Sequence, residues 1–303
     1  MNRIIAIFLS VIFSATVCVA QKPEVARILL TRDNGQHWGA FAQGLPTNAM
    51  INTWITVDRS IVIGTNDHGI FKVDTHDDVW YSSNSGLPKN AKIDALIFYR
   101  MILFAAVNRG GIYTSTDGGN TWKKGSKDLE HLPIRSFYTD GSKLFCGTDV
   151  GIFKSDDDGR SWAAVKKGMQ VNDFVRAGSI LFAATHEGVL ASRDHGATWN
   201  YQWKNGAIAR LVASGDKVIG LTYGGDVVEG PYPGPMFFAT PLLESQYIVQ
   251  LTPTSEKILK EPWMKNFTAI YSMAGIGQAL SDDTHCGLML STPAGLLVST
   301  YAR

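Results

Sequence analysis

The sequence predicts an all-β chain of repeated four-stranded units, and three observations carry that expectation. An eight-residue phrase recurs as TRDNGQHW (Thr31 to Trp38), STDGGNTW (Ser115 to Trp122), SDDDGRSW (Ser155 to Trp162) and SRDHGATW (Ser192 to Trp199), with a worn copy, VDTHDDVW, ending at Trp80. The closing tryptophans at 38, 80, 122, 162 and 199 are separated by 42, 42, 40 and 37 residues, a period that belongs to repeat architectures. Each period holds short strand-like runs bounded by Gly, Pro, Asn and Asp, and past the N-terminal apolar segment no stretch shows a 3.6-residue apolar period. A lone four-stranded sheet leaves both faces bare. Stacking it between neighbours around an axis covers both, so the expectation is a single β-propeller.

Taken in order, residues 1–20 read as a secretory signal peptide. Met1-Asn2-Arg3 is a short positive start, Ile4 to Val17 is apolar, and Cys18-Val19-Ala20 places small residues before a cut at Gln21. A lipoprotein cut before Cys18 is the weaker alternative, because Ala15-Thr16-Val17 lacks the leucine expected there. Residues 21–303 read as one propeller domain, with regular blades over about 26–229 and irregular or inserted blades over 230–303.

Within a blade, the first strand is INTWITV, IDALIFY, IRSFYTD, VNDFVRA or IARLVAS. The second is apolar almost throughout, as in SIVIGT, ILFAAV, KLFCGT and ILFAAT, which suits a strand buried on both faces. The third opens on Gly69, Gly111, Gly151 or Gly188 and runs into the recurrent phrase. After the tryptophan comes a polar fourth strand, then Gly-Leu-Pro (Gly44 to Pro46, Gly86 to Pro88) or a worn form of it.

The phrase has its own mechanics. Its aspartate (Asp33, Asp117, Asp157, Asp194) can accept backbone N–H groups of its own turn, and the glycine two places on can take a positive φ. The tryptophan drives apolar surface between sheets; burying ~200 Å² contributes up to about 5 kcal/mol before entropic and polar costs. Past residue 229 the pattern weakens until HCGLMLSTPAGLLVST restores the shape of a second and third strand. Third-strand segments start near 27, 69, 111, 151, 188, 226 and 295, which favours seven blades over six unless the first and last complete one shared blade. The N-terminal strand is expected to pair with the C-terminal ones, since closure removes exposed sheet edges.

Composition excludes some classes of partner. The chain has 28 basic and 27 acidic residues, and loss of Arg3 leaves 27 of each, so nothing draws it to nucleic acid or anionic lipid. No membrane-integral segment is expected after cleavage, and a monomer is expected. Cys146 and Cys286 sit in distant apolar strands and read as two buried thiols. No HExxH or CxxC spacing exists, so no metal and no cofactor are expected, and Asp156-Asp157-Asp158 reads as turn capping.

Polar residues at the start of the first strands could ring the mouth of a central channel, together with the loops between second and third strands. Asn52, Asp94, Arg135, Asn172, Asp173 and His186 are the candidate ligand-binding residues. No catalytic residue is assigned; Asp94 and Asp173 are the carboxylates whose position would suit glycoside hydrolysis.

The recurrent phrase resembles the Asp-box, or BNR, repeat, with four good copies and one degenerate one. Such repeats occur in sialidases, sortilin-like receptors, xyloglucan-degrading enzymes and assembly factors related to photosystem II stability proteins. The resemblance implies a propeller in which the box lies between third and fourth strands, faces away from the binding mouth and is structural. A sialidase-like site would need three arginines on the substrate carboxylate and an Arg-Ile-Pro ahead of the first box. Here Arg27-Ile28-Leu29 abuts the box without the proline, and only Arg135 and Arg210 fall at channel-facing positions. The expectation is therefore a secreted or periplasmic non-catalytic module for a protein or glycan partner, the alternative being a carbohydrate-active enzyme working at the mouth.

Overall fold

Second strands that are apolar on both sides need cover on both sides, and the computed structural model shows how they obtain it. It describes residues 27–31, 39–47, 49, 51–57, 59–74, 77–204, 206–214, 217–222, 227–231, 238–240, 272–273, 285–292 and 295–302, with side chains described mainly between Phe41 and Leu211. All regular structure among these residues is β-strand. The expected signal peptide, Asp33 and Trp38 lie outside them.

Four consecutive strands form each complete sheet, antiparallel and in chain order. The first contains β3 (Ile51–Val57), β4 (Ser60–Thr65), β5 (Ile70–Asp74) and β6 (Tyr81–Ser82). The second contains β7 (Ile93–Tyr99), β8 (Ile102–Val107), β9 (Gly111–Ser115) and β10 (Lys123–Lys124). Next come β11 (Ile134–Thr139), β12 (Leu144–Thr148), β13 (Gly151–Ser155) and β14 (Ala163–Lys167). The fourth contains β15 (Val171–Ala177), β16 (Ile180–Thr185), β17 (Val189–Ser192) and β18 (Asn200–Trp203). The fifth contains β19 (Ile208–Ser214), β20 (Lys217–Thr222), β21 (Val227–Pro231) and β22 (Phe238–Thr240).

A further sheet joins the two ends of the chain. β1 (Arg27–Thr31) pairs in parallel with β25 (Gly295–Ala302), placing Leu29 opposite Leu297. β2 (Gly39–Ala40) lies outside β1, while β24 (His285–Thr292) and β23 (Ser272–Met273) complete the other side. The first and last third-strand segments thus share one sheet, and the seven segments fall in six sheets among the described residues.

The first strands β3, β7, β11, β15 and β19 adjoin one another in succession, and a separate apolar layer fills each gap between sheets. Phe104 and Ile112 face Ile134 and Leu144 in one layer, whereas Leu103 and Tyr113 on the opposite face of the same sheet meet Val62 and Ile93 in another. Trp80, Trp122, Trp162 and Trp199 are all buried, each in a different layer. They therefore occupy equivalent places from sheet to sheet. Cys146 is a free, buried thiol, and burial pushes its pKa well above the usual thiol range.

Three of the recurrent phrases fold into the same turn. Ser115, Ser155 and Ser192 are buried, and each hydroxyl accepts the N–H of the phrase's glycine, 2.8–2.9 Å away. Each serine donates to one oxygen of the aspartate. The backbone N–H and hydroxyl of Thr121, Ser161 or Thr198 donate to the same carboxylate. Gly119, Gly159 and Gly196 take φ of 87°, 80° and 80°, and a Cβ on Gly159 or Gly196 would collide with Phe104 or Phe145 of the preceding sheet. The glycine is thus required by backbone conformation and by the approach of the next layer.

Candidate functional site

Opposite the recurrent turns lies the face formed by the loops between second and third strands and the connections from each sheet to the next. The starts of the first strands β3, β7, β11, β15 and β19 each carry a β-bulge. The register shifts between Ile51 and Thr53, Ile93 and Ala95, Ile134 and Ser136, Val171 and Asp173, and Ile208 and Arg210. The extra residues are Asn52, Asp94, Arg135, Asn172 and Ala209. A bulge re-aims a side chain that the pleat would otherwise direct into a neighbouring sheet. Four of the six candidate residues therefore stand at one structural position.

They do different work there. Asn52 and Asn172 donate their side-chain amides to the carbonyls of Ile93 and Ile208, the first residues of the next first strands, at 3.2 and 2.7 Å. Both fasten one sheet to the next. Asp94 accepts the amide of Asn108 at 2.6 Å and lies 3.4 Å from the Lys92 ammonium. Arg135 forms an ion pair with Asp149. Asn108 and Asp149 occupy equivalent loops, so two sheets tie the bulge residue to the same loop, one by an amide–carboxylate hydrogen bond and the other by an ion pair.

Asp173 follows a bulge and turns toward the next sheet. Its oxygens accept the N–H groups of Phe174 and Leu211, each at 2.9 Å. Desolvation raises its pKa above the usual carboxylate range, against the opposing charge of Arg210 and these two hydrogen bonds. Arg210 itself donates to the carbonyls of Asn172 and Ala209. Asp94 and Asp173 thus each have bonds within the protein.

His186 is exposed and borders a groove of about 600 Å³ between the third and fourth sheets. Val150, Phe153 and Met169 supply apolar lining, and Asp149, Lys167, Gln170 and Glu187 polar lining. Val150 is 44% exposed, unusual here for a large aliphatic side chain. Glu187 accepts the Lys204 ammonium and the Tyr201 hydroxyl, each at 3.0 Å, and these two bonds lower its pKa. Lys167 makes no ion pair or side-chain hydrogen bond among the described residues.

The groove lies beside one of the shorter connections between sheets. From each closing tryptophan to the start of the next first strand the chain takes 13 residues (38 to 51, 80 to 93), then 12 (122 to 134), then 9 (162 to 171 and 199 to 208). The long connections tuck under the next sheet. Trp80 and Trp122 donate their backbone N–H groups to Gln43 and Ser85 and their indole N–H groups to Phe41 and Ser83. The 12-residue connection places Asp128 so that it accepts the Trp162 N–H at 2.9 Å. The short connection through Gly168 does not reach this place. Trp162 and Trp199 instead donate their indole N–H groups to Gly159 and Gly196 of their own turns, at 3.2 and 3.1 Å. The Gly168 N–H of this short connection donates to the Val150 carbonyl at 3.0 Å, and Gly168 and Met169 line the groove beside Val150.

Among the described residues no cluster of three or more His, Cys, Asp or Glu is placed to hold a metal ion, and no helix is long and apolar enough to cross a membrane. No family model matches the sequence, and no curated protein matches it. Solved structures do share its fold. An ancestral GH74 enzyme superposes with a TM-score of 0.58 at 12% identity, covering 88% of this chain and 36% of that one. The extracellular domain of the BT4673 system of B. thetaiotaomicron gives 0.56 at 14%, covering 89% and 35%. YCF48 bound to D1 peptide gives 0.53 at 16%, covering 85% and 83%. This chain spans about a third of the first two. These neighbours are β-propellers, both enzymatic and non-enzymatic, and identities this low establish the fold alone.

Proposed function

We propose that this chain is an exported, non-catalytic β-propeller that binds a protein segment on its loop face. The groove between the third and fourth sheets carries the reading: it is apolar-lined, open to solvent and rimmed by charges of both signs. His186 contacts the partner directly, and Arg135 acts through Asp149. Asn52, Asn172 and Asp173 hold the sheets that shape the rim. We read the ring as six-bladed, because β1 and β25 share one sheet. We read the recurrent turns as Asp-boxes, rivets on the far face. The internal bonding of Asp94 and Asp173 disfavours these carboxylates as a glycoside-hydrolysing pair.

Hydrogen-exchange footprinting of the purified chain against a display-selected peptide pool tests this. Protection at 149–150, 167–170 and 186–187 is the expected result. Turnover of a fluorogenic glycoside or polysaccharide panel, abolished by Asp94→Asn, would replace the binding reading with the enzymatic one.

A further inference from the structure

We infer that the groove between β13 and the connection through Gly168 selects a peptide segment that presents an apolar residue beside an acidic one. This rests on the binding reading above and specifies its partner. Three observations lead to it. First, Val150, Phe153 and Met169 supply the apolar lining of the groove, which has room for a Leu-sized or aromatic side chain. Val150 is 44% exposed without such an occupant. Second, both carboxylates of the groove already have cationic partners in the protein: Asp149 has Arg135, and Glu187 has Lys204 together with Tyr201. Third, Lys167 is exposed, lines the same groove and makes no ion pair or side-chain hydrogen bond among the described residues.

The charge left for a ligand is therefore positive although the groove contains two acids. A carboxylate on the ligand gains Lys167 and displaces no internal pair. A ligand ammonium meets Lys167 as a like charge, and to engage Asp149 or Glu187 it must compete with Arg135 or Lys204. Such juxtapositions set specificity more than affinity. The apolar side chain supplies most of the binding and the acid sets the choice.

The test uses the full chain and three capped hexapeptides, Gly-Ser-Leu-Glu-Ser-Gly, Gly-Ser-Leu-Lys-Ser-Gly and Gly-Ser-Ser-Glu-Ser-Gly, titrated while backbone amide resonances are followed. The Leu-Glu peptide should shift Val150, Gly168 and Gln170, bind about fivefold or more tighter than the Leu-Lys peptide, the scale of one partly exposed ion pair, and bind tighter still relative to the Ser-Glu peptide, which lacks the apolar side chain. Lys167→Glu should invert the preference toward the Leu-Lys peptide. Lys167→Gln should abolish it while leaving the melting temperature unchanged, which separates loss of charge from loss of fold. Equal binding of the Leu-Glu and Leu-Lys peptides in the groove overturns this inference and leaves the binding reading standing. Peptide shifts confined to other residues also overturn it. No shift with any peptide, combined with glycoside turnover, overturns both.

Discussion

At the scale of single residues, the recurrent turn works through an aspartate whose two oxygens collect three hydrogen bonds. The hydroxyl and backbone N–H of Ser161 or Thr198, then the serine that opens the phrase, hold Asp157 and Asp194 at a pKa of about 2. The same bonds, led by the Thr121 hydroxyl, hold Asp117 below the usual carboxylate range. Each folded pKa lies below that of an ordinary aspartate, so this stability is fully present above about pH 4 and drains away as pH falls toward 2. Melting temperature should therefore fall steeply between pH 4 and 2, and replacing all three aspartates by Asn should flatten that slope while lowering the plateau at neutral pH. A variant whose acid slope matches the parent would show that other carboxylates govern acid unfolding. Ser192 is 1% exposed and serves both the Gly196 N–H and Asp194, so Ser192→Ala should cost about 1–3 kcal/mol in a urea titration. The buried Cys146 thiol should resist iodoacetamide in the native protein and react fully in guanidinium.

At the scale of elements, the decisive variable is the length of the connection between sheets. Gly86 has φ 89°, and a Cβ there would overlap the carbonyl oxygen of Trp122; Gly168 has φ 93° but open space around its Cβ position. Alanine at 168 meets only the backbone penalty of about 1–2 kcal/mol, whereas alanine at 86 adds a collision with the chain of the next sheet. Gly86→Ala should thus lower the denaturation midpoint distinctly more than Gly168→Ala, and equal losses would contradict the tucked and untucked connections described above. The strands, the turns and the places of the buried tryptophans were legible in the sequence, because each depends on local chemistry repeated at a fixed period. The groove was not. The nearest sequence feature is the shortening from 13 residues to 9 ahead of Val171, but the same shortening precedes Ile208, so spacing alone does not mark a groove. The bulges were hidden for a related reason: Asn52, Asp94, Arg135 and Asn172 align in sequence, but pairing with the second strand decides which side chain is re-aimed. Their alignment suggested a common ligand. The amides of Asn52 and Asn172 instead span the seam to the next first strand.

At the scale of the whole molecule, those seams matter because each sheet is marginal alone and is held through its neighbours, as in other repeat folds. A chain of stacked sheets has two ends where one face would be bare. Here the first described strand is laid in register against the last, Arg27 through Thr31 opposite Gly295 through Ser299, in the parallel pairing that joins these two segments. That ladder is the longest-range backbone contact among the described residues, and loop closure on this scale slows folding more than it costs stability. Removing residues 21–31 should leave the interior sheets folded while stripping β25 of its partner. The melting temperature should then fall by more than either glycine substitution causes, and the exposed β25 edge should make the truncated chain self-associate, visible as concentration-dependent sedimentation. An unchanged melting temperature with monomeric sedimentation would mean that the sheets hold one another without the chain ends being joined.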